Sequence, residues 1–296
     1  MRQGVMLCYP YTQKRLNSWK KPVIIQPKIE GDRCRAIVKF RKGTHEVTLL
    51  SSEGNEKVSV PHIKEQLSLL NIDRMIVEVK ALPEMELDGE LYCHNMKHHI
   101  FRRIVSPTVN LHEDYMKVRY HIFDIVNKDK QKERTNKLET LRWAVCDSPN
   151  LSIVGSYKVI SEEEVLSGME GFMRSGYEGI ILRDTEGLYV RYRSKHIMKL
   201  KPRKVASFRI INYIQEQDKH GFAKAALGAF TLSADNGQAF NVGTGKFLTK
   251  ERREALWQKP DNYVGMKATV LFQDYTERGV PYFPSLLNIG GLDDKS

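Results

Sequence analysis

Short apolar runs punctuated by glycine, proline or charge recur through the first two thirds of the chain. The runs at 22–27, 35–38, 47–50, 87–92, 118–123 and 178–183 are β-branched or aliphatic and too short for helices, so they are expected to be strands. Helical spacing of apolar residues predicts helices over 62–70, with Ile63, Leu67 and Leu70 on one face, and over 137–146, with Leu138, Leu141 and Val145. A third helix is announced by Ser161-Glu162-Glu163-Glu164, where the serine caps and the glutamate reciprocates, and it stops at Gly176.

Beyond Lys201-Pro202-Arg203-Lys204 the pattern changes to short strands with glycine turns at 208–213, 228–232, 239–242 and 268–272. A helix over 249–257, closed by Pro260, falls between the last two. The expected fold class is α+β: an antiparallel-sheet domain over 1–202 followed by a small β-barrel of OB type over 203–296. Gly31, just after the first strand, is expected to let the chain turn.

With 296 residues and 41% hydrophobic content the chain can bury the cores of two domains. The formal net charge of +11 favours a polyanionic partner, nucleic acid first, because each cation set against a phosphate releases condensed counterions. A basic surface that serves only solubility is the plainer alternative, and charge does not separate the two. No apolar run approaches a membrane span, and Met1-Arg2-Gln3-Gly4 lacks the layout of a signal peptide, so an intracellular protein without a membrane partner is expected. Cys8, Cys34, Cys93 and Cys146 are scattered without a Cys-x-x-Cys pair, and His94, His98 and His99 have no second ligand pair at helical spacing. Zinc and a disulfide framework are therefore not expected.

The run Lys28-Ile29-Glu30-Gly31-Asp32-Arg33 places a lysine at a strand end, a rigid position for an attacking amine. Other charged residues stand at predicted strand ends: Glu90 in Asp88-Gly89-Glu90, Glu178 before Gly179-Ile180-Ile181-Leu182, and Lys199 with Lys201. Taken one at a time, acids at strand ends are more often solvated charges, and Phe123 is ordinary core.

Read in order, Lys28 to Arg33, Leu49-Leu50-Ser51-Ser52-Glu53-Gly54, Asp88-Gly89-Glu90, Tyr120-His121-Ile122-Phe123-Asp124, the Glu178 strand and Ile197-Met198-Lys199-Leu200-Lys201 form a series. It resembles the covalent nucleotidyltransferases, and within them the compact viral or bacterial type of ATP-dependent DNA ligase. The resemblance implies that nicks in duplex DNA are sealed through AMP carried on Lys28, its transfer to a 5′-phosphate, and attack by the 3′-hydroxyl. It implies ATP as co-substrate with Mg²⁺ or Mn²⁺, and a monomer acting in the cytoplasm of a bacterial or virus-infected cell. Lys28, Glu178, Lys199 and Lys201 are then the expected catalytic groups, the two lysines lowering the pKa of Lys28. Gln26, Arg33, Glu90 and Phe123 join them around ATP or AMP, with Glu90 and Glu178 toward the metal. Glu30, Arg33, Ser51, Ser52, Arg183, Arg193, Arg203 and Lys204 are expected toward DNA, as is Arg191.

Two motifs depart from the family. Ser51-Ser52 stands where the family has Ser-Arg, so another cation has to serve, and Arg41 and Lys42 are close in sequence. The C-terminal run Gly290-Gly291-Leu292-Asp293-Asp294-Lys295 keeps Asp and Lys of an Arg-x-Asp-Lys motif without its arginine, leaving Arg278 or Lys295 to compensate. An RNA ligase acting on RNA or hybrid ends is the nearest rival. A non-catalytic nucleic-acid-binding OB protein would account for the charge and the barrel but not for the series of motifs.

Overall fold

The computed structural model describes residues 4–290 apart from 42–43, 71–82, 273–274 and 277. The chain divides into two compact units, Met1–Leu200 and Lys201–Ser296.

Among the described residues the first unit contains two five-stranded sheets. One has β3 (Asp32–Lys39) paired with β4 (Glu46–Ser51) and β5 (Glu84–Tyr92), then β6 (Arg119–Ile125) and β7 (Leu151–Ile153). Its apolar face packs Val38, Leu49 and Leu87 with Ile63 and Leu67 of α2 (Pro61–Ser68), Phe101 of α3 (His98–Val105), and Leu138 and Leu141 of α4 (Gln131–Val145). The other sheet runs β1 (Leu7–Pro10), β10 (Arg193–Leu200), β9 (Ile180–Arg183), β2 (Val23–Pro27), β8 (Tyr157–Val159). Its core joins Val23, Ile25, Leu182 and Met198 to Leu16 of α1 (Gln13–Ser18) and Val165 of α5 (Glu162–Arg174). The expected antiparallel pattern holds except at two places, since β1 with β10 and β6 with β7 are parallel pairs.

Helix limits show where periodicity misleads. α4 begins at Gln131, six residues before the expected start, because its first turns bury Gln131, Arg134 and Thr135. Those polar residues belong to a buried network. α5 matches its expected signals more closely: Ser161 accepts from Glu164 N, although Glu164 returns its bond to Ile160 N at 2.8 Å instead of to the serine.

The network joins the two sheets. Asp124 of β6 is fully buried and receives Arg134 of α4, Nε to Oδ1 at 2.8 Å, and Arg183 of β9, Nη1 to Oδ2 at 2.6 Å. Gln131 Oε1 accepts from both guanidinium groups, at 2.6 and 3.1 Å. Arg183 Nε continues to Gln26 Oε1 at 2.7 Å, so β2 of one sheet is fastened to β6 of the other.

Among the described residues of the second unit the strand pairings are antiparallel, in the order β13 (Ala239–Val242), β12 (Ala223–Ser233), β11 (Lys204–Gln217), β14 (Lys267–Phe272), β15 (Ser285–Ile289). The free edges approach where Leu286 N donates to Thr244 O at 2.7 Å. Gly245 allows that closure: its φ is +137°, and a Cβ there would strike the Leu286 carbonyl. α6 (Lys250–Gln258), capped by Thr249, covers the barrel with Leu256 in its core and Arg253 donating to the carbonyls of Leu227, Gly228 and Gly243.

Removing a charge from the buried network leaves two guanidinium groups uncompensated. Asp124→Asn is expected to destabilise the first unit by about 3–5 kcal/mol. Glu139→Gln, which breaks only an exposed pair with Arg142, should change stability by less than about 0.5 kcal/mol. Urea denaturation of the two variants checks the contrast.

Candidate active site

β2 ends at Pro27, but its pairing with β9 continues for one more step. Lys28 N donates to Gly179 O at 2.8 Å and Glu178 N to Lys28 O at 3.2 Å. The two side chains therefore leave adjacent chain segments together, and Lys28 Nζ forms an ion pair with the Glu178 carboxylate. The chain bends at Gly31, as expected from its position, but without a left-handed φ. A Cβ there would collide with the Leu91 carbonyl and the Glu90 side chain, so its role is close approach of the lysine segment to β5.

Arg33 and Glu90 are register partners on β3 and β5. Arg33 was expected to fork onto a ligand, but the structure turns that fork inward: Nε and Nη2 grip Asp88 Oδ1 and Oδ2 at 2.6 and 2.5 Å. Tyr189 adds its hydroxyl to Asp88 Oδ2 at 2.6 Å. The Arg33 guanidinium also lies 4.6 Å from the Phe123 ring, with that of Arg183 at 5.5 Å. Phe123 is thus a half-buried ring with two guanidinium groups close to it.

These side chains surround a cavity of about 470 Å³, lined by Lys28, Arg33, Ser52, Glu90, Phe123, Arg193 and Lys199 with apolar Val5, Met6 and Ile29. That volume lies within the range of small-molecule sites, roughly 300–1,000 Å³. Gln26 also lines it, but both its amide protons are committed, to Phe123 O at 3.2 Å and Ser156 Oγ at 2.9 Å. Its amide nitrogen holds the wall and has no proton left for a base.

Other expected site residues are dispersed. Arg183, assigned to DNA, is 2% exposed and bound to Asp124 and Gln26, so it belongs to the wall of the cavity and not to an open surface. Arg191 is exposed but engaged with Glu86 at 2.5 Å. Glu30 is exposed beside the cavity, whereas Ser51 spends its hydroxyl on Asn55 N and Glu53 N. Lys201 opens the second unit, and Arg203 and Lys204 are exposed there. Arg41 falls at the opposite end of the β3–β4 hairpin from Ser52, because Lys39 pairs with Glu46 while Cys34 pairs with Ser51. Arg193 shares the cavity with Ser52 instead. Lys42 and residues 291–296 lie outside the described residues, with Asp293 and Lys295 among them.

Burial governs the electrostatics. Desolvation lowers the pKa of Lys28, with Arg33 adding to the effect and Glu90, Cys8 and Glu30 opposing it. The expected agents, Lys199 and Lys201, are not its principal cause. Glu90 is pushed up to about 7 by the same burial, against the pull of Arg33 and Lys28. Cys8, a cavity residue that sequence reasoning missed, is also raised by burial. Asp88 was visible inside a motif, but its role as the anchor of Arg33 and Tyr189 was not. Arg134 and Tyr189 carried no sequence signal.

Comparison with known proteins adds independent information. Residues 5–201 match the ATP dependent DNA ligase domain and residues 220–289 the DNA ligase OB-like domain. The chain is 29% identical over 246 residues to a DNA ligase of African swine fever virus (isolate Tick/South Africa/Pretoriuskop Pr4/1996), covering 80% of this chain and 54% of that protein. A DNA ligase of Haemophilus influenzae is 24% identical over 208 residues, covering 69% of this chain and 72% of its own. The chain spans about half the length of the viral relatives it matches. In fold it is similar to a Lig E DNA ligase, with TM-score 0.71, 22% identity, and coverage of 98% of this chain and 100% of the other. The ATP-dependent DNA ligase of bacteriophage T7 in complex with ATP gives 0.57 at 14% identity, over 96% and 98% of the two chains.

The raised Glu90 carboxyl makes stability pH-dependent. Above pH 4.5 an unfolded chain loses this proton while the folded one keeps it to about pH 7, so stability is lost across that window and the penalty is full above it. Glu90→Gln removes the penalty. Its stability relative to the parent is expected to rise by about 1–3 kcal/mol between pH 4.5 and pH 8, measured by chemical denaturation of the ligand-free protein.

Proposed function

Since the chain belongs to the ATP-dependent DNA ligase family, we propose that it seals nicks in duplex DNA from ATP with Lys28 as the carrier of AMP. The observation that carries this reading is that Lys28, at the wall of a cavity of nucleotide size, is ion-paired with Glu178.

In the first step Lys28 Nζ attacks the α-phosphorus of ATP, a phosphorus–nitrogen bond forms, and pyrophosphate leaves. Only the neutral amine attacks, and burial already weakens its hold on the proton. The Glu178 carboxylate touches Nζ and is the group placed to take that proton. Phe123 offers its face to the adenine, Glu90 meets the ribose hydroxyls, and Lys199 with Arg193 gives cations for phosphoryl oxygens. AMP then passes to the 5′-phosphate at a nick, which returns the electron pair to Nζ. Attack by the 3′-hydroxyl on that phosphate forms the phosphodiester and expels AMP. Arg193 supplies the positive charge that Ser52 lacks, while Glu30, Arg203 and Lys204 are exposed toward DNA.

Among the described residues no three His, Cys, Asp or Glu side chains gather into a metal cage. Glu178 and Glu90 fit Mg²⁺ or Mn²⁺ of the kind held by one or two carboxylates, waters and substrate phosphates. Such an ion supplies charge neutralisation at the phosphoryl oxygens.

Incubation with α-labelled ATP and Mg²⁺ is expected to leave label on the parent protein and none on Lys28→Ala. That variant should still seal nicked DNA adenylylated in advance. A labelled band on Lys28→Ala would move the nucleophile elsewhere. Glu178→Gln should slow labelling by about 10²–10⁴-fold. In the parent the labelling rate should rise with pH and level off below pH 10.5, the ordinary value of a lysine amine.

A further inference from the structure

A second cavity of about 430 Å³ lies in the first unit, walled by Lys14 and Arg15 of α1 and by Lys195 and His196 of β10. Its one carboxylate, Asp184, has a side chain only 8% exposed and accepts from His196 Nδ1 at 2.7 Å. The buried acid therefore fixes the imidazole at the cavity wall, while three formal cations remain around it.

The two cavities share a partition. Arg15, from the second, places its guanidinium carbon 4.5 Å from the Tyr9 ring, and Arg193, from the first, lies 5.6 Å from the same ring. Both arginines are tethered to the backbone of β1, Arg15 to Pro10 O at 3.5 Å and Arg193 to Cys8 O. A line of positive charge thus leaves Lys199 and Arg193, crosses Tyr9, and continues through Arg15 to Lys14 and Lys195. A mononucleotide bound at Lys28 occupies one end of this line. Only a ligand with repeated phosphates engages both ends.

We propose that the second cavity binds a phosphodiester backbone, holding one arm of nicked DNA as it leaves the Lys28 cavity. The identity of the polymer rests on the ligase reading; the cationic track does not. Lys14 and Lys195 are exposed, so replacing them leaves the fold intact.

The test uses the full chain with Lys14→Ala/Lys195→Ala and, separately, His196→Gln. Binding of a fluorescent nicked duplex is followed across a salt series, beside labelling with α-labelled ATP. Expected are labelling within about twofold of the parent and at least about tenfold weaker duplex binding for the double variant. The slope of log affinity against log salt should fall by about two, close to 0.9 for each phosphate that is no longer neutralised. Unchanged affinity and slope in variants that still label and seal would overturn the cavity's role and leave the ligase reading standing. A parent that binds duplex through these lysines yet forms no lysyl-AMP would uphold the cavity and remove the ligase reading.

Discussion

Two buried carboxylates hold this site together. Asp88 and Asp124 face each other in register on β5 and β6, and both are fully buried. Neighbouring buried acids are tolerable only if each is neutralised and hydrogen-bonded. Here the compensation comes partly from the other sheet: Arg183 of β9 reaches Asp124, and Tyr189, between β9 and β10, reaches Asp88 beside Arg33. Such pairs add little net stability compared with apolar packing, but losing one partner is costly. They fix the register of the two sheets whose residues together line the cavity.

The same dry environment sets the chemistry. Burial lowers the pKa of the Lys28 ammonium and raises that of the Glu90 carboxyl, so it moves a base and an acid toward neutrality from opposite sides. For the lysine, Arg33 adds to the effect of burial. The cations that are present have other duties: Arg33 and Arg183 clamp the carboxylates and flank Phe123, while Lys199 and Arg193 remain at the cavity wall. Charge near the nucleophile is thus divided between groups that hold the frame and groups available to a ligand.

That division explains which site residues were legible. Lys28, Glu90, Phe123, Glu178 and Lys199 stood out because each belongs to one of the ordered motifs, and the fold brings them to one place, although Glu90 and Phe123 lie within strands and not at their ends. Arg33, Gln26 and Arg183 were visible as polar residues, but their side chains point into the frame. Nothing local to a sequence says whether a guanidinium meets a ligand or a buried aspartate. Arg41 is a similar case, near Ser52 in sequence and at the far end of the hairpin in space.

By itself the sequence determined the alternation of strands and helices, the change of pattern near Pro202, and the order of the charged motifs. These depend on residue type and short-range periodicity, which the chain carries locally. Only the tertiary structure decided the parallel edge pairs, the early start of α4, the role of Gly31 and the partners of the arginines. Each of these rests on contact between segments far apart in the chain. Burial, which sets both the charge state and the availability of a side chain, exists only once those segments have packed.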